Sequence, residues 1–160
     1  MSEKILVAYA TKHGSTREVA EAVASALSDQ GHEVDMRPSA DPGDVGAYGL
    51  VILGAPIYSG KWHKDAHRFL KRQRQILETR PIAVFALGPR KPPAEGTWPR
   101  SQEQLDNALA KHPWLAPVAT AVFGGVDPPK KAKERRDQRD WQAIADWTSQ
   151  TALLLGRPDS

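Results

Sequence analysis

Apolar residues in this chain fall into short runs separated by longer stretches with helical spacing. Residues 5–10 (ILVAYA), 48–55 (YGLVILGA), 81–87 (PIAVFAL) and 117–124 (PVATAVFG) are almost unbroken apolar segments, as strands covered on both faces require. Residues 32–37 alternate instead, which predicts a partly exposed strand stopped by Pro38. Between the strands the period changes. Val19, Val23 and Leu27 form one stripe with Ala20, Ala24 and Ala26 beside it. Ala66, Phe69, Leu70, Gln73 and Leu77 form the inward stripe of a helix over 61–79, and Leu105, Ala108 and Leu109 that of one over 101–111. Ile144, Ala145, Thr148, Ala152 and Leu155 do the same over 140–155, with Gly156 as the stop. Residues 39–46 and the Pro-rich 88–99 read as loops. Five mostly apolar strands alternating with helices predict an α/β fold, a doubly wound parallel sheet with helices on both faces.

That alternation directs attention to the first strand-to-helix junction. Residues 4–16 read KILVAYATKHGST, a buried strand that breaks at Thr11 and gives way at once to the helical stripe. Unpaired backbone N–H groups and the positive end of the helix dipole face such a loop, and Thr and Ser hydroxyls add donors. Gly14 allows the backbone to close around a ligand. The loop therefore reads as a phosphate cradle; the alternative is an ordinary Ser/Thr-capped helix start. A dinucleotide loop would need G-x-G-x-x-G, and only Gly14 is present. Residues 54–62 approach a P-loop, but the spacer is too long and Trp62 follows the Lys. A phosphoacceptor domain would need carboxylates where Thr11 and Ala55 stand. The remaining pattern, T-x-x-G-x-T, resembles the flavin mononucleotide (FMN) phosphate loop of flavodoxin-like proteins.

Composition narrows the chemistry. The chain has 160 residues, read as a single domain over 1–160, and no cysteine, so thiolate catalysis, disulfides and Cys-ligated metals are excluded. Redox work would need a bound cofactor. No segment approaches about 18 consecutive apolar residues, and the first residues run straight into a strand; a soluble cytoplasmic protein is expected. The net charge of +3 is too small to argue for nucleic acid.

Ligands of such a sheet bind at the carboxyl ends of the strands, here the first, third and fourth. The third strand leads into Pro56, Ile57, Tyr58, Ser59, Gly60, Lys61, Trp62 and His63. Tyr58 and Trp62 offer flat apolar walls for an isoalloxazine ring, and Gly60 a flexible peptide able to meet its N5. The alternative is that the two aromatic residues only cap the sheet edge. The fourth strand leads into Leu87, Gly88, Pro89, Arg90 and Lys91. A cation there, within about 4–6 Å of the ring's pyrimidine side, would favour the anionic reduced flavin and two-electron cycling; the alternative is a solvated basic turn. His63 and His67 stand four apart on the predicted helix with no third ligand beside them, so they read as hydrogen-bonded or solvated and no metal is expected.

Together YATKHGST, GAPIYSGKWH, PWLAPVATAVFGG and RDWQAIADW span nearly the whole chain and resemble the flavodoxin-domain family that includes menaquinone-dependent protoporphyrinogen oxidase. The resemblance implies a flavodoxin-like sheet of order 2-1-3-4-5, FMN as cofactor, and electron transfer from a reduced organic substrate, such as a porphyrinogen, to a quinone. By position, Thr11, Lys12, His13, Gly14, Ser15 and Thr16 would hold the phosphate. Pro56, Ile57, Tyr58, Ser59, Gly60, Leu87, Gly88, Pro89 and Arg90 would surround the ring. The chain departs from the family at 128–139, which is short, highly charged and without a large apolar residue. It reads as a solvated connection, so contact with a membrane is expected to be peripheral at most. Two other functions fit the same fold, a one-electron flavodoxin shuttle and a non-catalytic flavodoxin-like regulatory module. Shuttles of the known type are strongly acidic, unlike this chain.

Overall fold

A computed structural model describes residues 4–10, 15–58, 61–87, 98–123 and 141–153. The parallel sheet is built from β1 (Ile5–Tyr9), β2 (Val34–Pro38), β3 (Leu50–Tyr58), β5 (Ile82–Leu87) and β6 (Ala119–Phe123), in the order β2-β1-β3-β5-β6. This is the predicted 2-1-3-4-5 path. The predicted set lacks one strand: β4 (Lys61–Trp62) folds back antiparallel on β3, with Ile57 opposite Trp62 and Tyr58 opposite Lys61. The helices are α1 (Ser15–Asp29), α2 (Lys64–Arg72), α3 (Arg74–Leu77), α4 (Trp98–Leu109) and α5 (Trp141–Leu153).

Strand alternation sorts the core into two layers. Ile5 and Val7 of β1 point to the side covered by α1, where Val19, Ala20, Val23 and Leu27 are fully buried, and where Ile144 of α5 joins them. Leu6 and Ala8 point to the opposite side, packed with Ala66, Phe69 and Leu70 of α2 and Leu105 and Ala108 of α4. Every residue of β5 is buried, as befits a central strand covered on both faces.

Two packing details fix the centre of the sheet. Gly54 of β3 stands beside Phe85 of β5, and a Cβ at Gly54 would overlap the Phe85 ring. Phe85 in turn meets Phe123 and Trp147 at centroid distances of 6.0 Å each. Trp147 thus packs in the core, while Trp141, six residues earlier, is exposed.

Several element boundaries differ from the sequence reading, among them β3, which runs on through Pro56 to Tyr58. The helix predicted over 61–79 starts as β4, then runs as α2 and α3 with a break at Gln73. His63 caps α2, its Nδ1 accepting the backbone N–H of Asp65 at 3.0 Å. The next helix begins at Trp98, three residues before the predicted start at 101. Pro38 closes β2 from within the strand, which an edge position permits.

Candidate functional site

The carboxyl ends of the central strands form one rim. Ala10 follows β1 and donates its N–H to the Gly54 carbonyl at 2.9 Å; Pro56 of β3 stands in register with Leu87 of β5, and Leu87 with Phe123 of β6. The β1–α1 junction, the β3–β4 hairpin and the exit from β5 therefore open on the same edge. Pro56 and Leu87 are buried and Ile57 is half-buried.

Helix α1 starts at Ser15, directly after the predicted cradle. Its second residue, Thr16, is fully buried, yet its Oγ1 has no hydrogen-bond partner among the described residues. A buried hydroxyl left unpaired costs about 1–3 kcal/mol, so natural proteins pair nearly all of them. An acceptor bound at the start of α1 would remove that cost, and a phosphate also suits the unpaired N–H groups of a helix start. The donor set fits the cofactor implied by the sequence resemblance.

A second unpaired buried hydroxyl, on Ser39, lies one residue past β2. The backbone N–H of Ser39 donates to the Tyr9 carbonyl at 2.7 Å, which puts it beside the end of β1. Sequence reading left Ser39 in a loop; its place immediately after an edge strand was the available signal.

Trp62 is a correction. As part of a flavin wall it would show a ring face at the rim, but it is only 3% exposed and belongs to the apolar layer with Ala55, Ala66 and Phe69. Its Nε1–H donates to the Ala55 carbonyl at 3.1 Å. The indole meets the edge of the His67 ring at 5.5 Å between centroids, with planes at 82°. Behind it, His67 Nδ1 and His112 Nε2 are 2.8 Å apart, and His112 meets Trp114 at 6.2 Å. Burial, then the neighbouring His112, Lys111 and Lys71, push the His67 imidazole down to about 4. Burial with Lys71 and Lys111 also lowers His112. Both rings are therefore neutral at pH 7. His112 escaped the sequence reading because nothing along the chain pairs it with His67, 45 residues away.

Of the other predicted site residues, Thr11, Lys12, His13, Gly14, Ser59, Gly60, Gly88, Pro89 and Arg90 lie outside the described residues, as do the side chains of Ser15 and Tyr58. The basic run at 128–139 does too. Among the described residues no helix is long and apolar enough to cross a membrane.

Comparison with known proteins agrees with this architecture. A flavodoxin domain family model matches residues 6–132. Protoporphyrinogen IX dehydrogenase [quinone] of Escherichia coli K12 is 24% identical over 179 aligned positions, covering 97% of this chain and 98% of that protein. A short-chain flavodoxin associated with a non-canonical PDU bacterial microcompartment superposes with a TM-score of 0.67 at 17% identity, over 98% of this chain and all of its own. A Fusobacterium nucleatum flavodoxin, solved with flavin mononucleotide bound, gives 0.58 at 15% identity, over 94% of this chain and 97% of its own. With its strand order and a family match over most of its length, this chain belongs to the flavodoxin domain family.

Proposed function

We propose that this protein is an FMN-dependent oxidoreductase that moves electrons from a reduced organic substrate to a quinone-type acceptor. The observation that carries the cofactor reading is the buried Thr16 hydroxyl at the start of α1, which has no hydrogen-bond partner among the described residues. In this reading Thr11, Ser15 and Thr16 donate hydroxyl hydrogen bonds to the phosphate, Lys12 and His13 line the same loop, and Gly14 admits its close approach. Pro56, Ile57, Tyr58, Ser59, Gly60, Leu87, Gly88, Pro89 and Arg90 border the ring. When bound, FMN supplies a ring that takes up two electrons from a donor and passes them on. The substrate gives up two electrons and two protons, and the quinone takes up the same number to become a quinol. A porphyrinogen would be a donor of this kind, becoming the porphyrin after three such rounds that consume three quinones.

Two facts favour an enzyme over an electron shuttle. The match to a quinone-linked dehydrogenase runs over almost the full length of both chains. The net charge is +3, which is poorly suited to docking on the basic surfaces that acidic shuttles use. In the cell we place it in the cytoplasm, meeting a membrane peripherally when it hands electrons to a lipid-soluble quinone. The test is an anaerobic assay of FMN-loaded protein with protoporphyrinogen and a soluble menaquinone analogue. Formation of the porphyrin that depends on both protein and quinone is expected. Loaded protein that leaves the porphyrinogen unoxidised above the no-protein rate, with quinone present, contradicts the proposed substrate.

A further inference from the structure

Charge is unevenly spread along this chain. Residues 61–74 hold six cations and a single carboxylate, a surplus of five in a chain whose net charge is only +3. Lys61, Lys64, Arg68, Lys71, Arg72 and Arg74 are all exposed, while Ala66, Phe69 and Leu70 on the other side of α2 are buried. Lys64, Arg68, Lys71 and Arg72 recur at helical spacing and so form one outward stripe. Arg68 reaches Asp65 at 3.6 Å and Arg74 reaches Glu78 at 3.6 Å; among the described residues Lys61, Lys64, Lys71 and Arg72 have no ion pair. Lys111, beside His112, adds another cation, close enough to act on His67 together with Lys71.

A face that only keeps a helix in solution has a different make-up. It mixes both signs, because opposite charges one turn apart support a helix and like charges weaken it. Here Lys64 with Arg68, and Arg68 with Arg72, are like-charge pairs at that spacing. An anionic surface laid against the stripe would relieve their repulsion. The stripe also lacks an apolar anchor: the exposed large hydrophobic residues among those described are Val118, Trp141 and Leu153. A protein partner needs such an anchor at the centre of its contact, whereas a layer of lipid headgroups needs only charge.

We propose that the exposed face of α2 is a docking surface for an anionic lipid bilayer. Clusters of about four to eight cations bind such surfaces, each cation strengthening the attachment about fivefold. Lys61 pairs with Tyr58 at the carboxyl end of β3, so the basic stretch starts at the rim. Docking there holds the rim near the layer in which a lipid-soluble quinone resides. That use of the surface, though not the binding itself, rests on the quinone reading above.

The experiment measures cosedimentation of the full chain with vesicles of phosphatidylcholine, alone or with about 30% phosphatidylglycerol, in about 0.1 M salt. Binding to the anionic vesicles alone is expected, and it should be lost in about 1 M salt, where screening is strong. Lys64→Gln, Lys71→Gln and Arg72→Gln together should weaken it about a hundredfold, and Lys64→Gln alone about fivefold. Gln matches Lys and Arg in helix propensity, so the thermal midpoint of the triple variant should stay at or above the parent's. A control removes the same charge elsewhere, by Lys130→Gln, Lys131→Gln and Lys133→Gln, and should bind like the parent. No binding of the parent to anionic vesicles, equal binding to neutral ones, or an equal loss in the control would each overturn the docking surface. Retention of the parent on immobilised polyglutamate without vesicle binding would overturn it in favour of an acidic protein partner. Binding is read without flavin or quinone, so its failure leaves the redox reading standing, and a failed quinone assay leaves the docking surface standing.

Discussion

His67 Nδ1 and His112 Nε2 stand 2.8 Å apart, a single hydrogen bond that ties α2 to the segment following α4. One proton serves the two facing nitrogens, and the surroundings resist another. Lys71 on α2 and Lys111 beside His112 both repel a charge there, and burial disfavours it further. Unfolded imidazoles take up a proton near pH 6.5, whereas folded His67 does so only near 4. Between these values the unfolded chain binds more protons, so stability falls as the pH drops from about 6.5 to about 4. Thermal unfolding of the FMN-free chain across this range should show that decline, and His67→Gln should flatten it. An unaltered slope in the variant would contradict the assignment.

Asp35 titrates in a lower window. The Tyr48 hydroxyl donates to it at 2.7 Å and Lys4 pairs with it at 3.3 Å, and these contacts hold its carboxyl below the ordinary range. Its stabilising contribution is present above about pH 3.8 and is lost as the pH falls below it, so Tyr48→Phe should lower stability at pH 5 and cost less at pH 3, where the parent is losing the same contribution. Unfolding curves at pH 5 and pH 3 check this, and a loss at pH 3 as large as or larger than that at pH 5 would contradict this account.

Gly54 is required by its neighbour. A methyl group there would enter the Phe85 ring, which is itself held by Phe123 and Trp147 and has nowhere to retreat. Gly54→Ala should cost about 1–3 kcal/mol of folding stability, the usual effect of overpacking a filled core. Denaturant unfolding measures this directly, and a stability equal to the parent's would show that the sheet centre yields more readily than its packing implies.

Thr16 should show the opposite balance. Thr16→Val replaces a buried hydroxyl that has no partner among the described residues with a methyl of the same shape. The FMN-free variant should be as stable as the parent or more so, while FMN binding weakens by about 1–3 kcal/mol through loss of a charge-assisted hydrogen bond. Unfolding and binding measured side by side give both signs. A variant destabilised without cofactor and unimpaired in binding would move the hydroxyl's role from ligand to fold.

Much of this architecture was legible in the chain because burial on both faces leaves a plain mark. The runs 5–10, 48–55 and 81–87 have almost no polar residue, and each became a parallel strand in its predicted place. The strand β4 was hidden because two residues carry no periodicity, and Lys61 and His63 fit the polar face of the helix that follows. The break at Gln73 was hidden for a similar reason, since Leu70 and Leu77 keep helical spacing across it. Trp62 was misjudged in role: an aromatic residue near a ligand loop has the same local sequence whether it faces the ligand or the core. Its partners, Ala55 and His67, are settled only by folding. The His67–His112 pair is a tertiary relation in the same sense.

The central claim is that the β1–α1 junction holds the phosphate of a mononucleotide flavin. Only one Gly-bearing turn follows β1, which leaves no second cradle for a pyrophosphate. Calorimetric titration of the cofactor-free chain with FMN and, separately, with flavin adenine dinucleotide tests this most directly. The account predicts a single saturable binding event with FMN, tighter than with the dinucleotide and weakened in Thr16→Val. No binding of FMN, or dinucleotide binding as tight or tighter, would contradict it.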